Sequence, residues 1–216
     1  MLKETIVKES LGLFRKYGIK STSMDDISGH LKVSKKTLYQ HFKDKESLLL
    51  FAIDRIMREF EEKLRSFQQS KENPVIIAAK ILEFILVEIA RYSSPYFYDL
   101  RKIPAANKKL NDFQDRIASV YILPLLNDAQ EKGIIRSDAD IRLFYTLHFH
   151  HLEEIMTGIR PVYIHANSRD LFRHMVLFNL RGLLTEENIH LLDPLLSEDE
   201  KKIKGKCLHS HTGNPF

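Results

Sequence analysis

Apolar residues recur at steps of three and four along most of this 216-residue chain, with polar residues between them. This spacing places the apolar side chains on one face of a helix. No alternating strand pattern of useful length is found, so the predicted fold class is all-α. The helices are predicted over 3–17, 24–31, 35–41, 45–70, 74–92, a short aromatic stretch near 96–98, 104–132, 138–157 and 167–184.

Start and stop signals support several of these boundaries. Ser23 and Asp26 have the spacing of a capping box before the second helix, and Asp44 is a cap for the fourth. Gly18 and Gly133 are typical of residues that follow the end of a helix. Proline at the first helical position predicts further starts at Asn73-Pro74 and Ser94-Pro95.

Three other signals concern the second half of the chain. Pro124 lies inside a long helical pattern, where it removes a backbone donor, so we expect a kink near Tyr121. Asp138 is expected to begin the next helix. Asn167, with Asp170 three residues later, is expected to begin the last main helix.

The most informative stretch is the short third helix with the residues on either side of it. Val33, Leu38 and Phe42 can anchor this helix against its neighbours, which leaves amines and hydroxyls facing outward. Such groups donate hydrogen bonds to base edges and to phosphates. Two short helices joined by residues 31–33 therefore predict a helix-turn-helix whose second helix reads DNA.

The ordered motif formed by Gly18, residues 22–27 and residues 33–49 resembles the TetR family of bacterial transcriptional regulators. The resemblance covers roughly residues 3–50, about a quarter of the chain. It implies contacts with phosphates and with the major groove of double-stranded DNA. The residues at the positions that the family uses are Thr22, Ser23, Ser34, Lys35, Lys36, Thr37, Tyr39, Gln40, His41 and Lys45.

Within that set, the resemblance assigns different tasks to different side chains. Lys35, Lys36 and Thr37 would face the groove, whereas Tyr39 and His41 would bind phosphates on the flanks. The chain departs from the family at two positions. Lys32 stands where glycine is common, which predicts a positive φ or a reshaped turn. Lys36 stands where a small residue or proline is common.

The location of the charge agrees with this interpretation. Residues 1–50 hold ten Lys or Arg and six Asp or Glu, and the remaining residues hold 23 of each, so the whole excess of +4 lies beside the motif. A cationic surface of this kind attracts phosphates.

The single cysteine, Cys207, excludes an internal disulfide or a multi-cysteine zinc site and suits a reducing compartment. We expect a cytoplasmic protein with no membrane span.

These observations divide the chain into three parts. Residues 1–47 form a three-helix DNA-binding domain, residues 48–190 a helical effector-binding and dimerisation domain, and residues 191–216 a partly disordered tail. Residues 191–196 are expected to pack back on the body. The last two main helices would pair with those of a second copy, as the resemblance implies.

Aromatic and polar residues of the second domain either line a pocket for a small apolar effector or simply pack its core, and the sequence leaves both interpretations open. The candidates are Phe84, Glu88, Tyr92, Phe97, Phe113, Tyr121, Tyr145, His148 and Phe149. His148, His150 and His151 lack the spacing and partners typical of a metal site, so we expect no metal and no cofactor.

The sequence therefore predicts a homodimeric, ligand-responsive repressor that binds a palindromic operator. The alternatives are a ligand-independent regulator and a sequence-tolerant DNA-associated protein. A helical enzyme is a remote alternative, because the chain has no nucleophile motif and no phosphate-binding loop.

Overall fold

A computed structural model of the chain describes residues 2–157, 170 and 172–196. The elements in these ranges are helices, apart from a single antiparallel bridge between Ile135 and Leu184. The fold is all-α, as the spacing of apolar residues predicted. The α-helices are α1 Leu2–Tyr17, α2 Met24–Leu31, α3 Lys35–His41, α4 Lys45–Gln68, α5 Pro74–Ile89, α6 Ser94–Arg101, α7 Pro104–Arg116, α8 Leu123–Glu131, α9 Ile141–Thr157 and α10 Phe178–Leu183.

Local capping fixes the helix-turn-helix. Ser23 and Asp26 form the predicted capping box at the start of α2. Lys32 follows α2 with φ 54° and ψ 37°, so of the two alternatives left open for this residue the chain adopts the positive φ. Its N–H donates to the carbonyl of Gly29, and the N–H of Val33 donates to that of Ser28. This is a Schellman motif, which satisfies the last carbonyls of the helix.

The fourth helix connects the N-terminal helices to the rest of the protein. Asp44 caps α4 through a hydrogen bond from the N–H of Ser47 at 2.7 Å, as predicted. The helix runs for 24 residues, which at 1.5 Å per residue is roughly 36 Å. Leu48 and Leu49 pack in the N-terminal core, whereas Leu64 packs in the second core.

A π-helical segment, Ile117–Ile122, lies between α7 and α8, at the place where the sequence predicts a kink before Pro124. Proline has no N–H to donate to the carbonyl four residues earlier, which belongs to Val120. Gln68 at the end of α4 supplies that donor instead, at 3.0 Å from the Val120 oxygen. The π-helical turn and the side-chain amide together keep this backbone satisfied.

Other boundaries differ from the sequence predictions. The ninth helix begins at Ile141, and its cap is Asp140, whose carboxylate accepts from the N–H of Leu143 at 2.8 Å; the prediction of Asp138 was wrong. The sixth helix is preceded by Ser93, one residue before the expected cap. The predicted start at Asn167 lies outside the described residues. Within them, a π-helical segment, Phe172–Leu177, leads into α10.

The start of the C-terminal tail packs on the body, as expected. A 3₁₀ helix covers Glu186–Leu192, and Leu192 is fully buried in the second core. Leu195 and Leu196 pack against the same core. The predicted loose region from 201 onward lies outside the described residues.

Buried apolar side chains form two clusters. One is built from α5, α8, α9 and the segments around α10. The other contains the N-terminal helices together with Tyr96, Phe97 and Leu100 of α6. The sixth helix therefore shares a core with the helix-turn-helix, although it follows α5 in the chain.

Glycine is required where α6 meets the N-terminal helices. Gly18 has φ +90°, and a Cβ atom at this position would lie 3.1 Å from a carboxylate oxygen of Asp99 and 3.2 Å from Cβ of Pro95. A side chain here would be strained by the backbone and crowded by α6. Gly18 thus ends α1 and also lets the chain approach α6 closely.

Candidate DNA interface and effector cavity

The third helix presents a polar surface to solvent. Leu38 is fully buried and Phe42, which follows the helix, is 5% exposed, so these two side chains anchor α3 on the N-terminal core. The side chains on the opposite side are exposed and carry amines, an amide and a phenol. We call this the reading face, and it consists of Lys35, Lys36, Tyr39 and Gln40.

Hydroxyl groups organise the start of this helix. Ser34 is the N-cap, and its Oγ accepts from the N–H of Thr37 at 3.0 Å. The two hydroxyl groups of Ser34 and Thr37 are also 2.8 Å apart. Because the hydroxyl of Thr37 is engaged at the cap, its methyl group is the part best suited to an apolar contact with thymine.

Lys35 is paired within the protein. Its Nζ donates to the carboxylate of Asp25 on α2 at 2.6 Å, and both side chains are 61% exposed. Asp25 raises the pKa of the Lys35 amine through this hydrogen bond and through its charge. A DNA contact by Lys35 therefore requires an exchange of this exposed carboxylate for a base or phosphate acceptor.

Two predicted phosphate ligands have structural partners instead. Thr22 is 2% exposed, and its hydroxyl donates to the carbonyl of Gly18 at 2.8 Å. Lys45 is partly buried, and its Nζ donates to the carbonyls of Ile19 and Thr22 at 2.8 and 2.9 Å. In this conformation both side chains support the loop between α1 and α2 from inside the protein.

The remaining predicted DNA ligands lie at the surface or near it. Ser23 is exposed, and its hydroxyl and backbone N–H hold the pKa of the Asp26 carboxyl below its usual range. Tyr39 is 49% exposed, and His41 is partly buried at the last turn of α3. Ser23, Ser34 and the reading face therefore lie on accessible parts of α2 and α3.

Behind the helix-turn-helix, α4, α5, α6, α7 and α9 enclose an apolar cavity of about 130 Å³. Seven of the nine pocket residues predicted from the sequence lie on its wall. They are Glu88, Tyr92, Phe97, Phe113, Tyr145, His148 and Phe149.

A more polar surface depression lies beside the cavity. It is lined by Asn111, Gln114, Asp115, Ala118, Tyr145 and Phe149. Three of these residues, Gln114, Tyr145 and Phe149, also line the cavity.

Two predicted pocket residues lie elsewhere. Phe84 packs against Phe60 and Phe67 of α4, with ring centroids 4.6 and 5.9 Å apart. Tyr121 is 3% exposed within the second core and raises the pKa of the Arg65 guanidinium. Helical spacing placed both residues on apolar faces, but it did not show that these faces turn toward other neighbours.

The other residues of the cavity wall were not predicted from the sequence. Half of the remaining lining residues come from the broad apolar stripe of α4 and from the largely apolar α5. Such a stripe also occurs in an ordinary packed helix, so it does not by itself indicate a pocket. These residues are Ile53, Ile56, Met57, Phe60, Leu82, Ile85 and Ile89, with Tyr96, Leu100, Ala106, Leu110, Gln114, Ile117 and Leu152 from other parts of the chain.

His148 is the most unusual polar group of the cavity wall. The residue is 3% exposed, and neither ring nitrogen has a hydrogen-bond partner among the described residues. The pKa of the imidazole is lowered to about 4, chiefly by burial; the backbone of Met175 opposes this shift and the charge of His151 adds to it. The ring is therefore neutral at pH 7 and offers one donor and one acceptor.

This burial predicts a specific loss of stability in acid. The folded protein has His148 with a pKa of about 4, whereas an unfolded histidine titrates near 6.5. Between these values the unfolded chain binds more protons, so stability is full above pH 6.5 and decreases as the pH falls toward 4. We expect the free energy of unfolding to drop by about 2–3 kcal/mol more in the wild type than in His148→Leu between pH 7.5 and 4.5.

Urea unfolding of both proteins at one fixed protein concentration measures this difference. Titration of carboxylates is common to both proteins and cancels in the comparison. An equal loss of stability in the two proteins would contradict the burial of a neutral imidazole.

The sequence did not reveal how closely the cavity is connected to the helix-turn-helix. A guanidinium N–H of Arg15 on α1 donates to the hydroxyl of Tyr92 at 2.7 Å, and the carbonyl of Arg15 accepts from the N–H of Ser93 at 3.1 Å. The carboxylate of Asp99 on α6 accepts from the backbone N–H of Lys20 at 2.7 Å. We call these three hydrogen bonds the α6 junction. Their partners are 77 to 79 residues apart in the chain, so no local pattern could have indicated them.

The described ranges offer no candidate for a metal site or a membrane span. No three His, Cys, Asp or Glu side chains there are placed to hold a metal ion. None of the helices described is both long and apolar enough to cross a membrane.

Comparison with known proteins identifies the N-terminal region. Residues 6–51, which include the helix-turn-helix, match the family described as bacterial regulatory proteins, tetR family. The uncharacterized HTH-type transcriptional regulator YerO of Bacillus subtilis is 36% identical over 67 residues, which is 31% of this chain. The chain spans only 23% of that relative.

Solved structures extend the likeness to most of the chain. The fatty acid degradation regulator FadR from Bacillus halodurans superposes with a TM-score of 0.67 at 19% identity, covering 84% of this chain and 95% of that one. The TetR family transcriptional regulator PfmR from Thermus thermophilus gives 0.65 at 21% identity, covering 83% and 99%. At these identities the likeness concerns the fold. The chain is thus similar to the TetR family of bacterial regulatory proteins in sequence at residues 6–51, and to solved regulators in fold over most of its length.

Proposed function

We propose that the protein is a homodimeric, ligand-responsive repressor of transcription that binds a palindromic operator in double-stranded DNA. The observation that carries this proposal is the reading face. A short helix anchored by Leu38 presents two lysines, an amide and a phenol to solvent, within the segment that matches the family. Exposed donors of this kind on a helix that can enter the major groove suit both base edges and phosphates.

The side chains of α3 divide by reach and chemistry. Lys35 and Lys36 can donate to guanine O6 or N7, and the methyl group of Thr37 can contact a thymine methyl. Tyr39 and His41 at the flanks, with Ser23 at the start of α2, are suited to phosphates. In the free protein the amine of Lys35 donates a hydrogen bond to the carboxylate of Asp25. Lys35 can contact guanine only if the base replaces Asp25 as the acceptor of this hydrogen bond.

Exposed apolar side chains on the last two main helices support dimerisation. Leu143 and Leu147 lie one turn apart on α9 and are 54% and 53% exposed, and Phe178 on α10 is 43% exposed. We call these three residues the dimer face. A second copy packed on this face would relate two reading faces by a two-fold axis. Half-sites about one DNA turn apart, roughly 34 Å, or a little more, would then be bound together.

The cavity and the α6 junction provide a route from ligand to DNA. The same α6 carries Phe97 on the cavity wall and Asp99 in the junction with the loop after α1. The turn before α6 contributes Tyr92, which lines the cavity and binds Arg15. A ligand that favours a displaced α6 would shift the helix-turn-helix with it, and the change in operator affinity would equal the ligand's preference between the two states.

Retention of genomic DNA fragments by the protein tests the proposed function. We expect a small set of fragments carrying an inverted repeat to be retained in the presence of competitor DNA. Uniform retention of all fragments would instead indicate a sequence-tolerant DNA-associated protein. No retention even at low salt would contradict DNA binding altogether.

A further inference from the structure

Two exposed lysines and an exposed tyrosine lie where α6 meets the loop after α1. Lys20 belongs to that loop, Lys102 directly follows α6, and Tyr98 on α6 is 57% exposed. The carboxylate of Asp99 accepts from the backbone N–H of Lys20 at 2.7 Å, which holds this loop residue beside α6. We call Lys20, Tyr98 and Lys102 the α6 patch.

Lys102 and Tyr98 form one polar unit with donors to spare. Nζ of Lys102 donates to the hydroxyl of Tyr98 at 2.7 Å and lies 3.9 Å from the centroid of its ring. This contact uses one ammonium N–H and a lone pair of the hydroxyl, so further N–H groups and the phenol O–H can still donate. The hydrogen bond from Lys102, with the charges of Lys102 and Lys20, lowers the pKa of the Tyr98 hydroxyl. Two positive charges therefore act at the same exposed phenol.

The positive charge of the α6 patch is not neutralised by ion pairs within the described ranges. The carboxylate of Asp99 is engaged by the backbone of Lys20, and the amine of Lys102 by a neutral hydroxyl. Lys132 in the second domain is a contrast, because its amine is paired with the carboxylate of Asp128 at 2.7 Å. The α6 patch is therefore suited to an anionic partner from outside the protein.

Neighbouring exposed residues connect this patch to the proposed DNA interface. Lys20 lies three residues before Ser23, the exposed N-cap of α2. Asp25, in the first turn of α2, accepts from the amine of Lys35 on the reading face at 2.6 Å. The exposed surface thus continues from α3 along the start of α2 to α6.

The DNA backbone has the chemistry and the extent that this surface requires. Each strand carries a phosphate about every 3.4 Å of helix axis, so a duplex bound to α3 also presents charges beyond the half-site. Lysine amines and phenol hydroxyls are common donors to phosphate oxygens. A charged phosphate oxygen is also a stronger acceptor for the amine of Lys102 than the neutral hydroxyl of Tyr98.

We propose that the α6 patch binds the DNA backbone beside each half-site, so that α6 makes a second contact with operator DNA outside the helix-turn-helix. This inference rests on the proposed function, because it takes DNA binding by α3 as given. A phosphate contact carries no sequence information. The α6 patch therefore raises affinity without changing which bases are preferred.

Two duplexes of different length test this contact by fluorescence anisotropy of the full-length protein. Both carry the inverted repeat of a retained genomic fragment; the short one ends at the repeat and the long one extends ten base pairs further on each side. We expect the wild type to bind the long duplex at least about tenfold more tightly at 0.1 M salt. The double variant Lys20→Gln/Lys102→Gln should bind both duplexes within twofold of each other and the short one as the wild type does, which also shows that it is folded.

The salt dependence of binding counts the contacts. Lys102→Gln removes two phosphate contacts from each dimer, so the slope of log affinity against log salt on the long duplex should become shallower by about 1.8. Lys132→Gln is the matched control, because it removes the same charge from an exposed side chain of the second domain, and it should keep the wild-type slope. An equal loss of affinity on both duplexes, no loss on either, or the same change in slope for the control would overturn the proposal.

The same titrations separate this inference from the proposed function. If the wild type binds the repeat specifically but binds the long and short duplexes equally, the contact by α6 fails and specific DNA binding stands. If neither duplex is bound more tightly than DNA of unrelated sequence, the proposed function itself fails, and the contact by α6 fails with it.

Discussion

Leu147→Glu is expected to convert the protein from a dimer to a monomer and to lower its affinity for operator DNA at least about 100-fold. Leu147 is 53% exposed and lies one turn from Leu143 on α9. A carboxylate in the middle of an apolar contact between two copies would be buried without a partner, which costs several kcal/mol. The loss for DNA is large because two linked reading helices bind far more tightly than one.

Sedimentation and gel-shift titration at matched protein concentrations measure the two effects together. Val120→Glu is the matched control, because Val120 is an apolar residue of similar exposure, 47%, that lies outside the dimer face. The control should remain dimeric and bind DNA as the wild type does. A dimeric Leu147→Glu protein with normal operator affinity would show that the two copies meet through another surface.

Helix ends were predicted well where the signal is local. The capping box of Ser23 and Asp26, the cap at Asp44 and the left-handed turn at Lys32 each involve residues within six positions of one another. Their hydrogen bonds form in any environment that leaves the chain helical, so the sequence alone carries the information.

Predictions of helix starts and irregularities failed where the outcome depends on contacts with residues distant in the sequence. Asp138 and Asp140 are both suitable caps, and the structure uses Asp140. Pro124 predicts a disturbed helix, but not the π-helical segment before it, where the side chain of Gln68 binds the carbonyl of Val120, 52 residues away. A pattern read from neighbouring residues cannot include both Gln68 and Val120.

In the candidate DNA interface, too, local features were predictable and features that depend on tertiary contacts were not. The reading face follows from the alternation of buried Leu38 with exposed polar residues on one short helix. The inward orientation of Thr22 and the partly buried amine of Lys45 depend on the loop before α2, which folds over both residues. The resemblance predicts a phosphate ligand in both cases, and in this conformation both side chains have partners within the protein.

Variants of α3 test most directly whether this helix reads bases. Lys35→Ala should remove a contact worth about 1–3 kcal/mol at one base pair in each half-site, and Thr37→Ala should do the same at another. Tyr39→Phe should instead weaken binding to all sequences by a similar factor, because a phosphate contact carries no sequence information. Tyr39 is exposed and leaves the core intact when it is changed.

The measurement is the affinity of each variant for a panel of operators in which every base pair is replaced in turn. We predict that Lys35→Ala and Thr37→Ala each lose discrimination at one symmetric pair of positions, whereas Tyr39→Phe keeps the wild-type profile at lower affinity. Profiles of Lys35→Ala and Thr37→Ala that superpose on the wild-type profile would contradict the reading of bases by α3.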